Sequence, residues 1–91
     1  MQESDAELVG SISRGDIVAF ERLYDRYASV VLAVAERLSS DREAAADALI
    51  GAFVELRSEC ATPLGRPGPK PVLRWLVERV VALSAKLSYE P

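Results

Sequence analysis

Histidine is absent from this 91-residue chain, and cysteine occurs once, as Cys60. The missing histidine removes the commonest general base and the commonest metal ligand. A single cysteine forms neither an internal disulfide nor a cysteine-based zinc site, and this sparse usage fits a reducing, cytoplasmic compartment. The sequence also has no glycine-rich phosphate loop and no nucleophile–base pair. We therefore predict a protein that is not an enzyme and that needs no cofactor or metal.

Long apolar runs are also missing, since none approaches the ~18–20 residues of a membrane-spanning helix. The first five residues, MQESD, are polar and acidic, unlike a signal peptide. We therefore expect no membrane partner. The net charge of −3 divides unevenly, with −6 on residues 1–60 and +3 on residues 61–91. Such a split indicates an anion-facing end, or five basic residues that only solvate the last helix.

Apolar residues recur at helical spacing in four segments, and no segment alternates with period two. The pattern predicts helices over residues 5–14, 16–38, 41–59 and 71–88. Between the last two, residues 61–71 contain four prolines and two glycines, which exclude a regular element there. The predicted fold is a single all-α domain, residues 1–91, forming a compact bundle of four helices of which three are long.

Capping residues and apolar stripes refine these boundaries. Ser4 with Glu7, and Ser40 with Glu43, have the spacing of a capping box at the start of the first and third helices. The stripe of the second helix is predicted to be buried through Leu38. Gly51, in the middle of the third helix, is either a packing concession or a weak point. The other stripe residues predicted for the core are Leu8, Val9, Ile12, Phe20, Leu23, Tyr24, Tyr27, Val31, Val34, Ala45, Leu49, Ala52, Phe53, Leu56, Cys60, Leu73, Leu76, Val77, Val80, Leu83 and Leu87.

Three stretches resemble region 2 of a bacterial sigma factor, most closely the extracytoplasmic-function (ECF) group. Residues 5–38 read DAELVGSISRGDIVAFERLYDRYASVVLAVAERL, residues 41–56 read DREAAADALIGAFVEL, and a Trp-Leu pair follows at Trp75. The most recognisable motifs are the Gly15-Asp16 junction and Leu23-Tyr24-Asp25-Arg26-Tyr27. Because the similar stretches occur in the family's order over nearly the whole chain, the resemblance predicts a sigma region-2 fold.

The resemblance also implies partners and site residues. In that family the third helix binds the clamp helices of RNA polymerase, which assigns partner binding here to Asp47, Ile50, Gly51 and Val54. The following loop and last helix recognise the promoter −10 element, which assigns DNA binding to Arg66, Lys70, Arg74, Trp75 and Arg79. Because Trp75 lies next to the loop and beside Leu76, packing in the core or between helices is favoured for it over stacking on a base. Asp47 is equally compatible with a solvated carboxylate.

The chain departs from the family pattern on those same surfaces. Family members usually carry a Glu before Asp47 and Gln-Glu shortly after it, where this chain has Ala46, Ile50 and Gly51. Losing a polar contact typically costs ~0.5–1.5 kcal/mol, so we expect weakened polymerase binding. Promoter DNA is expected as a partner only within a polymerase complex.

A second interpretation remains open beside transcription initiation. The chain would then be a protein-interaction module that keeps the sigma fold without promoter recognition, for example by occupying an anti-sigma factor. An exposed Ile50, together with Leu49 or Val54, would also predict a homo-oligomer or hetero-complex formed through the third helix.

Overall fold

Four α-helices build the part of the chain that the computed structural model describes, residues 3–59 and 70–88, with side chains described up to residue 85. They are α1 (Asp5–Ser13), α2 (Ile17–Leu38), α3 (Arg42–Ser58) and α4 (Pro71–Ser88). No strand occurs within these ranges. The predicted all-α fold is confirmed, and the observed helix ends lie within one residue of the predicted ones. Cys60, Arg66 and most of the predicted loop over residues 61–71 lie outside the described residues, as does the Leu87 side chain.

The helices α2, α3 and α4 pack against one another, and α1 packs on α2. Their apolar stripes meet in one core, in which Leu23, Val31, Leu56 and Leu76 are fully buried. Phe20, Tyr24 and Val34 are half-buried against that core. Leu38 was predicted to be buried but is 45% exposed, and Ala35 is the last fully buried residue of α2. The period of a stripe fixes which face turns inward, not how far the neighbouring helices extend along it.

The start of α1 and its junction with α2 follow the sequence prediction closely. The Ser4 backbone N–H donates to Glu7 Oε1 at 2.9 Å, and the Glu7 N–H donates to Ser4 Oγ at 3.1 Å, which completes the capping box. The bond from the Ser4 backbone N–H to the carboxylate is the main cause that lowers the pKa of Glu7, and hydrogen bonding with the Ser4 side chain adds to it. Gly15 follows α1 with a φ of 89°, a conformation that glycine adopts without strain. Asp16 then caps α2 by accepting from the Ala19 N–H at 3.1 Å.

The cap of α3 corrects a prediction. The capping box of Ser40 with Glu43 was wrong, because the residue directly before the first helical turn is Asp41, whose backbone is extended. Asp41 Oδ1 accepts from the Ala44 N–H at 2.7 Å. A carboxylate in this position satisfies an orphan N–H group and also interacts favourably with the positive end of the helix dipole.

This difference predicts unequal effects for two neighbouring substitutions. Asp41→Ala should lower the free energy of unfolding by about 1 kcal/mol, because it removes the cap acceptor of α3. Ser40→Ala, one residue earlier and also exposed, should change it by less than about 0.5 kcal/mol. Urea denaturation followed by circular dichroism measures both. The assignment of the cap fails if the serine variant loses more stability than the aspartate variant.

Candidate functional site

Three of the four predicted partner-binding residues form an exposed stripe on α3. Asp47, Ile50 and Val54 lie three and four positions apart, the spacing that places side chains on one helical face. Ile50 and Val54 are each 55% exposed, and Asp47 is exposed as well. Leu49, the alternative neighbour of Ile50 in the sequence, is only 5% exposed and belongs to the core. The outer surface of α3 therefore presents an apolar pair beside a carboxylate.

Gly51, the fourth residue, lies on a different side of α3, towards α4. A Cβ atom at this position would stand 3.0 Å from Leu83 Cδ1, closer than side chains normally approach. Glycine therefore makes room for Leu83, so the packing concession is the correct interpretation of this residue. The missing side chain serves the contact between α3 and α4, and a glutamate here would have to displace Leu83.

The inner side of α3 fixes the orientation of the exposed stripe. Phe53 is 2% exposed. Its ring meets that of Phe20 edge-on, with centroids 6.3 Å apart, and that of Tyr24 at 4.9 Å. These aromatic contacts join the second half of α3 to the first half of α2. At the same end, Arg57 lines a small hollow of about 70 Å³ beside Ile17 and Phe20. The stripe is thus carried on a helix that three rings hold against its neighbour.

Two of the five predicted DNA-binding residues are exposed near the start of α4. Lys70 directly precedes the helix and has a φ of 51°, and its carbonyl accepts from the Arg74 N–H at 3.0 Å. Arg74 forms an ion pair with Glu78 one turn further on, with Nε and Oε2 3.6 Å apart. Both cations are therefore accessible to a phosphate, although Glu78 offsets part of the charge of Arg74.

Trp75 is buried in the core, and Arg79, whose side chain is 35% exposed, links α4 to α3. Trp75 is 4% exposed, so a base would stack on its ring only after the core had opened. The Arg79 guanidinium lies 5.4 Å from the centre of the Trp75 ring, a cation–π distance. Arg79 Nε also stands 3.4 Å from Glu55 Oε1 on α3. The structure thus places Trp75 in the core and gives Arg79 a contact with α3 that the sequence pattern did not indicate.

A polar cluster that the sequence analysis missed holds the start of the chain against α2. Asp5 Oδ1 accepts from Arg26 Nη1 at 2.8 Å, and Asp5 Oδ2 accepts from the Tyr27 hydroxyl. Glu3 accepts from Arg22 with its carboxylate and from Arg26 with its backbone carbonyl. Burial, the bond to Asp5 and the negative charge of Asp5 raise the pKa of Tyr27 to about 12. Residue spacing along the chain could not predict these contacts, because the partners are about 20 residues apart.

Within residues 3–59 and 70–88, no group of three or more acidic or cysteine side chains is placed to hold a metal ion. In the same ranges, no helix has the length and apolar character required to cross a membrane. Comparisons of the chain with protein-family models, with curated proteins and with solved structures found no match.

Proposed function

We propose that this chain is a sigma region-2-like domain that acts in transcription initiation or its regulation by binding RNA polymerase core through α3. The observation that carries the proposal is the exposed stripe of Asp47, Ile50 and Val54, which occupies the helix where the resembled family contacts polymerase. Residues 5–38 and 41–56, whose sequence resembles that family, also form the helices that orient the stripe.

The composition of the stripe sets the expected strength of the contact. Asp47 supplies one carboxylate, whereas Ile50 and Val54 supply apolar surface. A polar groove on polymerase would find a single hydrogen-bonding side chain among these three, and each lost polar contact costs ~0.5–1.5 kcal/mol. Binding to core is therefore weaker than that of a family member with the full polar set.

Promoter contact is secondary in this proposal. Phosphate contacts supply most of the affinity of DNA-binding proteins, and a dense cationic patch is the usual requirement. Among the described residues near the start of α4, Lys70 and Arg74 are basic and exposed, while Arg79 is engaged with Glu55 and Trp75. Two exposed cations supplement a complex that polymerase already holds on the −10 element, but they support little autonomous binding.

The alternative function is a protein-interaction module without promoter recognition, with an anti-sigma-like protein as the partner. The apolar pair favours it, because Ile50 and Val54 are each 55% exposed to water. Covering apolar surface of this kind is the usual driving force of protein association. A partner with an apolar groove would therefore gain affinity from the same two residues that weaken a polar interface.

Two substitutions of Ile50 separate the two functions. Ile50→Gln restores an amide at the position where the resembled family has one, so it should tighten binding to purified core polymerase about tenfold, equivalent to ~1.4 kcal/mol. Ile50→Glu should weaken binding by at least about tenfold at an apolar interface. Val81→Glu is the matched control, since Val81 is an exposed valine of α4, 46% accessible. Fluorescence anisotropy of the labelled chain titrated with core measures all three.

The outcomes assign the function directly. Saturable binding that the glutamine variant strengthens and the control leaves unchanged supports the polymerase contact. Failure of both the wild type and the glutamine variant to bind core at about 50 µM, a concentration that detects even weak complexes, contradicts it. If the wild type binds core and both Ile50 variants bind it more weakly, the interface with polymerase is apolar, unlike the polar one of the resembled family.

A further inference from the structure

The outer face of α3 is complementary to the same face of a second α3 helix that runs in the opposite direction. Asp47 stands three positions before Ile50, and Arg57 stands three positions after Val54. The acid and the base therefore flank the two apolar residues at equal distances along the helix, and all four residues are exposed. We infer that this face binds the same face of a second copy of the chain, with the two α3 helices antiparallel.

Helix geometry fixes the register of this pairing. At 1.5 Å per residue, Asp47 and Arg57 are about 15 Å apart along α3, and Ile50 and Val54 about 6 Å. A two-fold axis at the level of Ala52 therefore places Ile50 against the partner's Val54, and Asp47 against the partner's Arg57. A two-fold axis requires this reciprocity, since every contact occurs twice in a symmetric dimer.

The charges select the antiparallel arrangement over the parallel one. Parallel helices in register would place the two Asp47 carboxylates together and the two Arg57 guanidinium groups together, and like charges at an interface repel. Antiparallel helices convert both repulsions into attractions. The guanidinium group of Arg57 has five N–H donors, so it can bond to the partner's carboxylate in addition to contacts within its own chain.

The small residue beside Ile50 allows a second helix to approach. Ala46, one turn before Ile50, is half-buried, and its methyl group does not hold a facing helix away from Ile50. The surface remains limited, because stable interfaces usually bury about 1,200–2,000 Å² in total and this stripe spans three helical turns. The net charge of −3 on each chain also opposes association. The dimer is consequently transient and depends on protein concentration.

Self-association has a consequence for every other partner of α3. Because Ile50 and Val54 are covered in the dimer, a partner that requires them binds only the monomer. High concentrations of the chain therefore reduce the fraction available for binding. The dimer itself does not rest on the proposed function, since its residues and its test involve no polymerase.

Charge-reversal variants test the pairing, and sedimentation equilibrium of the full chain measures dimer formation. The protein concentration should run from about 10 µM to about 1 mM, because a dimer with so small an interface is expected to dissociate in this range. The apparent mass of the wild type should rise with concentration from 9.9 kDa towards twice that value. Asp47→Arg and Arg57→Asp should each weaken the dimer at least about tenfold, because each places like charges together. Glu36→Arg, the same change at an exposed position of α2, should not.

A mixture of the two charge-reversal variants is the decisive experiment. An equimolar mixture of Asp47→Arg and Arg57→Asp should dimerise again, because each chain then meets opposite charges at both ends of the stripe. The double variant should dimerise alone for the same reason. Circular dichroism verifies that all variants are folded. Three results overturn the inference: a wild type that stays monomeric, a dimer that both single reversals leave intact, and a mixture that remains monomeric. A monomeric chain that still binds purified core through Ile50 assigns the face to polymerase.

Discussion

Phe53→Ala should lower the free energy of unfolding by about 3–5 kcal/mol, the cost of removing a buried aromatic side chain and leaving a cavity. Phe53 is 2% exposed and contacts the rings of Phe20 and Tyr24. Domains of this size have about 5–15 kcal/mol of stability in total, so the loss is a large fraction of it. The melting temperature should fall by roughly 15–30 °C, measured by circular dichroism.

Val54→Ala is the matched control for this prediction. Val54 follows Phe53 directly but is 55% exposed, so truncating it should change the stability by less than about 0.5 kcal/mol. The pair separates the two sides of α3, because the inner residue supports the fold whereas the outer one is available to partners. A loss below about 1 kcal/mol for Phe53→Ala would contradict the packing of α2 on α3.

Most of the fold could be predicted from the sequence because its signals are local. The apolar period predicted four helices, and Gly15 and Asp16 placed the junction between α1 and α2 at the residues where it occurs. Capping is also local, yet Ser40 and Asp41 both carry an acceptor. The choice between them depends on which residue has the extended backbone, and that depends on the path of the chain from α2 into α3.

The candidate site was less predictable, because it depends on which face of each helix the bundle covers. The family resemblance grouped Gly51 with Ile50 and Val54, whereas the packing of α4 places Leu83 against Gly51. Arg79 was expected to face DNA as a basic residue of the last helix, but Glu55 lies within ion-pair distance of it on α3. Such pairings join residues far apart in the chain, so helical periodicity carries no signal for them.

The polar cluster at the start of the chain leads to the second large effect, which depends on pH. Tyr27 is 9% exposed and donates its hydroxyl hydrogen to Asp5, which also accepts from Arg26. Ionised Tyr27 would lose that donor and place a second negative charge beside Asp5. The folded chain therefore retains the proton of Tyr27 up to a pKa of about 12, whereas an unfolded tyrosine loses it near pH 10.

The stability that this proton provides should be complete below about pH 10 and should disappear as the pH rises towards 12, a fall of about 2 kcal/mol. Tyr27→Phe removes the titrating group and its hydrogen bond, so this variant should be less stable than the wild type at pH 8 and approach it at pH 12. Taking the difference between the two cancels the alkaline effects that both proteins share. Tyr24→Phe, on the same helix but outside the cluster, should retain the alkaline fall of the wild type. Urea denaturation at pH 8, 10 and 12 measures the three proteins, and a constant gap between the wild type and Tyr27→Phe would show that the hydroxyl does not titrate with folding.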